Sequence, residues 1–212
     1  MRTDELVKML ATGTVAVEPG AAARRFALAV GLGALGAALL MALLLGVRHD
    51  LRAVMLPMFS VKLAFAACLA LASIAGVYRL SRPGAKLARV PALLATTILA
   101  MWALAAFVLI RAQPGERAAL LLGQTWDECP FLIALLSAPA FISVMWALRS
   151  LAPTRLRLAG AAAGFAAGAL GALAYSWHCP ELGAPFIALW YLAGILIPTA
   201  IGALVGSRVL RW

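Results

Sequence analysis

The chain has 212 residues, 65% of them apolar and 12% charged, and its mean hydropathy is +0.99. A soluble chain of this length has no core large enough to hide so much apolar surface, which excludes an ordinary water-soluble domain and makes the bilayer the solvent. A net charge of +10 would point to nucleic acid in a soluble protein, but cationic loops orient a membrane chain and meet anionic lipid, so no direct nucleic-acid binding is expected.

In chain order, residues 1–25 form a cytoplasmic N-terminal segment whose opening, MRTDELVKMLATG, reads as a short amphipathic helix. Thr3 caps its start, Asp4 and Glu5 suit the positive end of its dipole, Gly13 stops it, and Leu6, Met9 and Leu10 share one face at i, i+3, i+4 spacing. Alone in water it is too short to be stable. It either lies on the membrane surface or folds into a partner's groove, with the apolar residues as anchors and the acidic pair for orientation. Arg24-Arg25-Phe26 is faintly like a twin-arginine export signal, but the apolar run after it is too long and lacks a small-residue cleavage site, so an uncleaved first helix is expected.

Residues 26–212 are predicted to be an all-α, integral membrane bundle of six transmembrane helices. Six apolar runs approach the roughly 20 residues that cross about 30 Å of hydrocarbon: Phe26 to Val47, Val54 to Tyr78, Pro91 to Ile110, Pro130 to Leu148, Leu158 to Trp177 and Pro185 to Val205. Lys and Arg are uneven between them. The N-terminal segment, the second loop (Arg79, Arg82, Lys86, Arg89), the fourth loop (Arg149, Arg155, Arg157) and the C-terminus (Arg208, Arg211) hold thirteen, whereas Arg48, Arg52, Arg111 and Arg117 make four on the other side. Both termini are therefore expected in the cytoplasm, and the chain is expected to be a multi-pass protein of a bacterial inner membrane.

Between helices in lipid the attraction comes from close packing, which small residues permit. Gly31, Gly33 and Gly36 crowd the first span; Gly160, Gly164, Gly168 and Gly171 line the fifth, and Gly202 and Gly206 repeat the device in the sixth. These are read as helix contacts. Pro57, Pro139 and Pro198 fall within spans, where each removes a ladder bond and favours a kink. Lys62, in PMFSVKLAF, is the one intramembrane charge; it either snorkels to the surface or pairs with Asp127, Glu128 or Glu181. With no carboxylate at mid-depth, proton- or ion-coupled transport is disfavoured. Cys68, mid-span among Ala and Leu, reads as a small buried hydrophobe.

The third and fifth loops carry WDECP (126–130) and WHCPE (177–181). With the termini inside, both lie at the periplasmic mouth, and Asp127, Glu128, Cys129, His178, Cys179 and Glu181 are the chain's cluster of soft and ionisable ligands. Pro130 suits the first position of the fourth span, which leaves Cys129 at its N-cap, where the helix dipole favours a thiolate. Cys179-Pro180 is read as a possible repeat of that arrangement, although Gly183-Ala184-Pro185 points to a later helix start. Trp126 and Trp177 suit the headgroup belt. Three readings of the pair stay open: a structural disulfide, a soft-metal or redox sensor, and two unrelated cysteines. No C-x-x-C, Ser-His-Asp, phosphate loop or paired-carboxylate pattern supports catalysis, so the chain is not expected to be an enzyme.

RTDELVKMLATG, PMFSVKLAF, LLLGQTWDECPFLIALLS, LAPTRLRLAG and HCPELGAPFIALWYLAG together resemble the NrsF-like proteins, a likeness that covers nearly the whole chain. The resemblance implies a six-span inner-membrane negative regulator, an anti-sigma factor, of an extracytoplasmic-function sigma factor. It further implies sequestration of the sigma factor at the membrane and its release under heavy-metal or oxidative stress, with Cys129 and Cys179 as the sensing pair. It assigns the N-terminal helix, through Asp4, Glu5, Leu6, Met9 and Leu10, to the sigma factor. No cofactor is required; a soft metal ion is a possible signal. The competing expectations are a soft-metal-binding membrane protein with no sigma partner, and a structural subunit that docks through its Gly-rich fifth span.

Overall fold

The computed structural model describes residues 3–12, 20–47, 57–82, 84–151 and 153–211, and among them every regular element is helical. α1 is Thr3–Ala11, and the six long apolar helices are α2 (Ala21–Leu44), α3 (Pro57–Leu80), α4 (Val90–Arg111), α6 (Cys129–Arg149), α7 (Leu156–Tyr175) and α8 (Ala184–Val209). All six are long and apolar enough to cross a membrane. A short helix not foreseen from the sequence, α5 (Arg117–Leu122), precedes WDECP.

Three boundaries differ from expectation. α2 begins five residues before Phe26, so Arg24 and Arg25 lie in its first turns and residue 25 falls inside a helix. Pro57 opens α3 rather than interrupting it, at a position where its missing N–H breaks no ladder bond. Pro139 and Pro198 do sit inside α6 and α8, and the start of α8 from Ile187 to Tyr191 is a π-helix. The expectations for Arg2, Gly13, Arg48, Arg52 and the stretch 54–56 lie outside the described residues.

α7 is the centre of the bundle, packed against α3, α6 and α8. Its Ala- and Gly-rich sequence makes this possible, because without bulky side chains two backbones approach until main chain meets main chain. A Cβ at Gly160 would stand 2.1 Å from the carbonyl oxygen of Gly202 and 2.9 Å from the Gly206 Cα; one at Gly164 would stand 2.0 Å from the Pro198 carbonyl oxygen. A Cβ on Gly168 would stand 2.9 Å from the Ile195 Cα, and Gly171 turns to α6, where a Cβ would meet the Ile133 carbonyl oxygen at 2.7 Å. The glycine face of the fifth span is thus occupied by the chain's own helices. Gly33 and Gly36 similarly seat α2 on Ala140, Ser143 and Pro139 of α6, whereas a Cβ on Gly31 would meet nothing within 4 Å, so that glycine marks no close helix contact. α4 is peripheral, with only Val90, Met101 and Ala105 buried.

Two buried clusters mark the two ends. Phe26, Leu80, Leu148, Ala159 and Leu210 share one, so the start of α2, the ends of α3 and α6, the start of α7 and the end of α8 meet there. Cys129 and Cys179 belong to the other, with Met41, Phe186 and Tyr191. Consecutive spans therefore alternate in direction, and the basic second and fourth loops lie opposite the cysteine segments.

Gly160→Leu is expected to destabilise the bundle by at least about 3 kcal/mol, because a backbone contact has no slack for a side chain. The check is the thermal midpoint and size-exclusion profile of purified protein, with Gly31→Ala leaving both unchanged.

Candidate functional site: the buried thiol pair

α7 ends at Tyr175, whose carbonyl accepts the N–H groups of His178 and Cys179 at 3.0 Å each. From Cys179 to Gly183 the chain is irregular until α8 starts. Irregular backbone near hydrocarbon needs partners for its polar groups, and Pro180 contributes no donor of its own. Lys62 supplies them from below. Its Nζ donates to the carbonyl oxygens of Cys179 at 2.9 Å and Glu181 at 3.0 Å, and lies 5.3 Å from the centre of the Tyr191 ring.

Lys62 has 0% of its surface exposed, so it does not snorkel, and the bonds it makes to Cys179 and Glu181 end on their main-chain carbonyls. The reason is depth. Lys62 stands five residues into α3, about 8 Å along the axis, and WHCPE folds over it before water is reached. Two hydrogen bonds to a charged group stabilise by about 1.5–3 kcal/mol each, and a desolvated ammonium–ring contact adds up to about 2 kcal/mol. Burial of an ammonium costs several kcal/mol. These contacts offset part of that cost, and the two carbonyl bonds last only while the loop stays closed on the ion.

The other residues of the loop tie it sideways. His178 Nδ1 lies 3.0 Å from the carbonyl oxygen of Gly46, the residue at φ +75° that follows α2. The Glu181 carboxylate accepts the Gln124 N–H at 2.6 Å. Gly123 makes room for it, since its φ is +58° and a Cβ there would stand 2.8 Å from Glu181 Cδ. Trp177 meets Phe59 of α3 edge to face, with centroids 5.5 Å apart. Trp126 and Trp177 are 44% and 41% exposed, which suits a membrane rim, yet each also packs a ring: Trp126 against Trp190, and Trp177 against Phe59.

The cysteines themselves depart from expectation. Cys129 is the first residue of α6 and Glu128 occupies the capping position; the Cys129 N–H donates to the Thr125 carbonyl at 2.9 Å. Pro180 begins no helix, because α8 opens at Ala184. Both thiols are completely buried instead of open at the mouth, and no disulfide joins them. They share one buried cluster. Tyr175 and Tyr191, with ring centroids 6.0 Å apart, are buried in the same cluster as both cysteines. The Tyr191 hydroxyl and Thr125 Oγ1 are buried and make no hydrogen bond.

The remaining expected ligands part company. Asp127 and Glu128 are exposed, while His178 and Glu181 are turned to Gly46 and Gln124. Among the described residues no three His, Cys, Asp or Glu side chains gather to hold a metal ion. Cys68 is exposed on α3 rather than buried, in a groove shared with α4. At the far end of the sequence pattern, Asp4, Glu5, Leu6, Met9 and Leu10 are all exposed on α1, which buries no residue.

Residues 10–212 match the family model described as NrsF, negative regulator of sigma F. The chain belongs to this family. Among curated NrsF relatives, it is 58% identical to the probable anti-sigma-F factor NrsF of Azospira oryzae and 40% identical to the anti-sigma-F factor NrsF of Caulobacter vibrioides, each over the whole of both chains. No solved structure matches it. The NrsF match begins at residue 10, so most of α1 precedes it, although both full-length relatives align across that helix.

Sequence reasoning overlooked several residues of this site. Gly46 and Gly123 carried a readable signal, each following an apolar run where a left-handed turn ends a helix. Tyr175 and Tyr191 carried none, since an aromatic near the end of a span reads as a belt residue. The burial makes a direct forecast for this NrsF-family protein. In native membranes opened to both sides, a water-soluble maleimide should label Cys129 and Cys179 at least about 100-fold more slowly than after SDS, a ratio set by an opening free energy of about 3 kcal/mol or more. Peptide mass spectrometry of the alkylated protein reads the ratio.

Proposed function

We propose that this chain is an anti-sigma factor of a bacterial inner membrane, with both termini in the cytoplasm. It holds an extracytoplasmic-function sigma factor there and releases it when an oxidant, or a soft metal ion, acts on Cys129 and Cys179. The observation that carries the reading is membership of the NrsF family together with full-length likeness to two proteins named anti-sigma-F factors. The excess of Lys and Arg at the end opposite the cysteines supports the orientation.

On the sigma side, α1 offers Leu6, Met9 and Leu10 to a partner groove, all of them exposed. In the same compartment, Arg82, Lys86 and Arg155 line a cavity of about 480 Å³ between the second and fourth loops. An apolar helix with an acidic first turn and a basic cavity together give a small surface two different means of grip.

On the signal side, a peroxide is a sufficient oxidant. One thiol attacks the O–O bond to give a sulfenic acid and water; the second thiol displaces hydroxide from it to give the disulfide and a second water. A soft metal ion bridging the two sulfurs is the other signal, with release of two protons. Either link ties the first residue of α6 to the loop that leads into α8. The two helices interlock further along, where a Cβ on Gly194 would stand 2.8 Å from Ile133 Cβ, so they shift together. A signal acts only through its differential free energy between two packings, and the two orphaned hydroxyls at Thr125 and Tyr191 narrow that gap, since an unmet buried hydroxyl costs about 1–3 kcal/mol.

Removal of residues 3–12 should lower capture of the sigma factor at least tenfold in a pull-down from solubilised membranes, and undiminished capture would remove α1 from the interface. Cys129→Ser with Cys179→Ser should keep capture and abolish release by peroxide or cadmium in a sigma-dependent reporter. A normal response in that double variant sinks the sensor role, and a wild-type chain that retains no sigma factor favours a soft-metal-binding membrane protein.

A further inference from the structure

We propose that Lys62 is a positioning residue for the thiol pair: by holding the carbonyls of Cys179 and Glu181 from inside the bundle, its ammonium keeps the WHCPE loop shut over both sulfurs and so sets their accessibility. The inference rests on the sensor reading above for its physiological consequence, while its structural content stands apart from it.

The two accepted bonds, at 2.9 and 3.0 Å, flank Pro180. Pinning carbonyls two residues apart fixes the path of the residue between them, and Pro180 has no N–H with which another element might do so. Besides the N–H bonds of His178 and Cys179 back to Tyr175 at the loop's start, His178 to Gly46 and Glu181 to Gln124 tie it through side chains that are themselves partly exposed. Lys62 is the fully buried one of these three side-chain anchors and lies beneath the loop. Phe59, three residues earlier on the same face of α3, is buried as well and supports Trp177 edge-on, so one helical turn carries the floor of the loop.

The same ammonium faces Tyr191 at the end of the π-helical segment of α8. π turns inside α-helices recur at functional positions; here the segment brings a fully buried ring to the height of the cation. Lys62 therefore touches both the loop that bears Cys179 and the helix that follows it. When a new bond to the Cys179 sulfur pulls the loop, the carbonyls leave the ammonium and the α3–α8 contact changes with them. A compact ammonium with three rotatable donors fits two carbonyls on one short arc, which the planar fork of an arginine does not.

The test uses the full-length chain carrying Cys68→Ser, in membranes opened to both sides, and measures the rate of Cys179 labelling by a water-soluble maleimide. Lys62→Met, of similar length but without donors, should raise that rate at least tenfold, while Phe59→Leu on the same turn should raise it less than threefold. A Lys62→Met rate within twofold of the parent overturns the proposal, and so does an equal rise with Phe59→Leu, which would mean that any loosening suffices. Should Lys62→Met fail to reach the membrane, Lys62→Gln, too short for both carbonyls, carries the test: a threefold or greater rise supports the proposal and the parental rate overturns it. A sigma-dependent reporter separates the two readings. If the thiols are the sensor, Lys62→Met lowers the peroxide dose for half-maximal release at least threefold; faster labelling with an unmoved dose leaves the Lys62 assignment standing and removes the sensor.

Discussion

A buried ammonium must be surrounded by oxygen, and in this protein that demand shapes the whole thiol-bearing end. Lys62 is the charged residue that lies completely buried among the described residues, and two of its acceptors are main-chain carbonyls of WHCPE. Because those carbonyls belong to a loop and not to a helix, their position depends on the cation as much as the cation depends on them. The closed loop then determines the rest: Trp177 comes down on Phe59, Glu181 reaches the Gly123 turn, His178 reaches the end of α2, and Cys179 is carried inward to the cluster that holds Cys129.

The glycine seam supplies the opposite quality. Where Gly160, Gly164, Gly202 and Gly206 bring α7 and α8 into backbone contact, there is no side chain to rearrange and hence little give. Towards the thiols the contact between the same helices passes through Ile195 and then gives way to the π-helical turn, the irregular 179–183 stretch and two hydroxyls that lack hydrogen-bond partners. The pair of helices is therefore firm at the basic end and yielding at the cysteine end. Under the proposed function this gradient is what a transmembrane relay needs, since a displacement started at the soft end reaches the other end as a movement of a rigid unit and is not absorbed on the way.

The burial of both thiols also changes what kind of sensor the proposed function requires. A rim site with six ligands in water would respond in proportion to metal affinity. A fully buried pair that shares its cluster with Tyr175 and Tyr191, with Cys179 on the Lys62-held loop, responds only as often as the loop opens, so conformational free energy and thiol chemistry multiply. In that arrangement the exposed Asp127 and Glu128 are left to interact with solvent and headgroups.

Much of this architecture was legible in one dimension, for identifiable reasons. Hydrocarbon thickness sets the length of an apolar run, so six spans could be counted, and alternation of spans puts both Cys-Pro segments at one end without any coordinates. Small-residue spacing marked α7 and α8, because the periodicity of a helix is a local property. Family membership was also readable, since it resides in the order of residues. The tertiary structure alone decided where Lys62 directs its charge, that the thiols sit under the rim and not on it, and that His178 and Glu181 serve as ties to Gly46 and Gln124. Those outcomes hang on contacts between residues far apart in the chain, 57 positions between Gln124 and Glu181, 132 between Gly46 and His178, and 117 and 119 in the two bonds of Lys62. They also turn on a main-chain acceptor, a group every residue carries and no residue type announces.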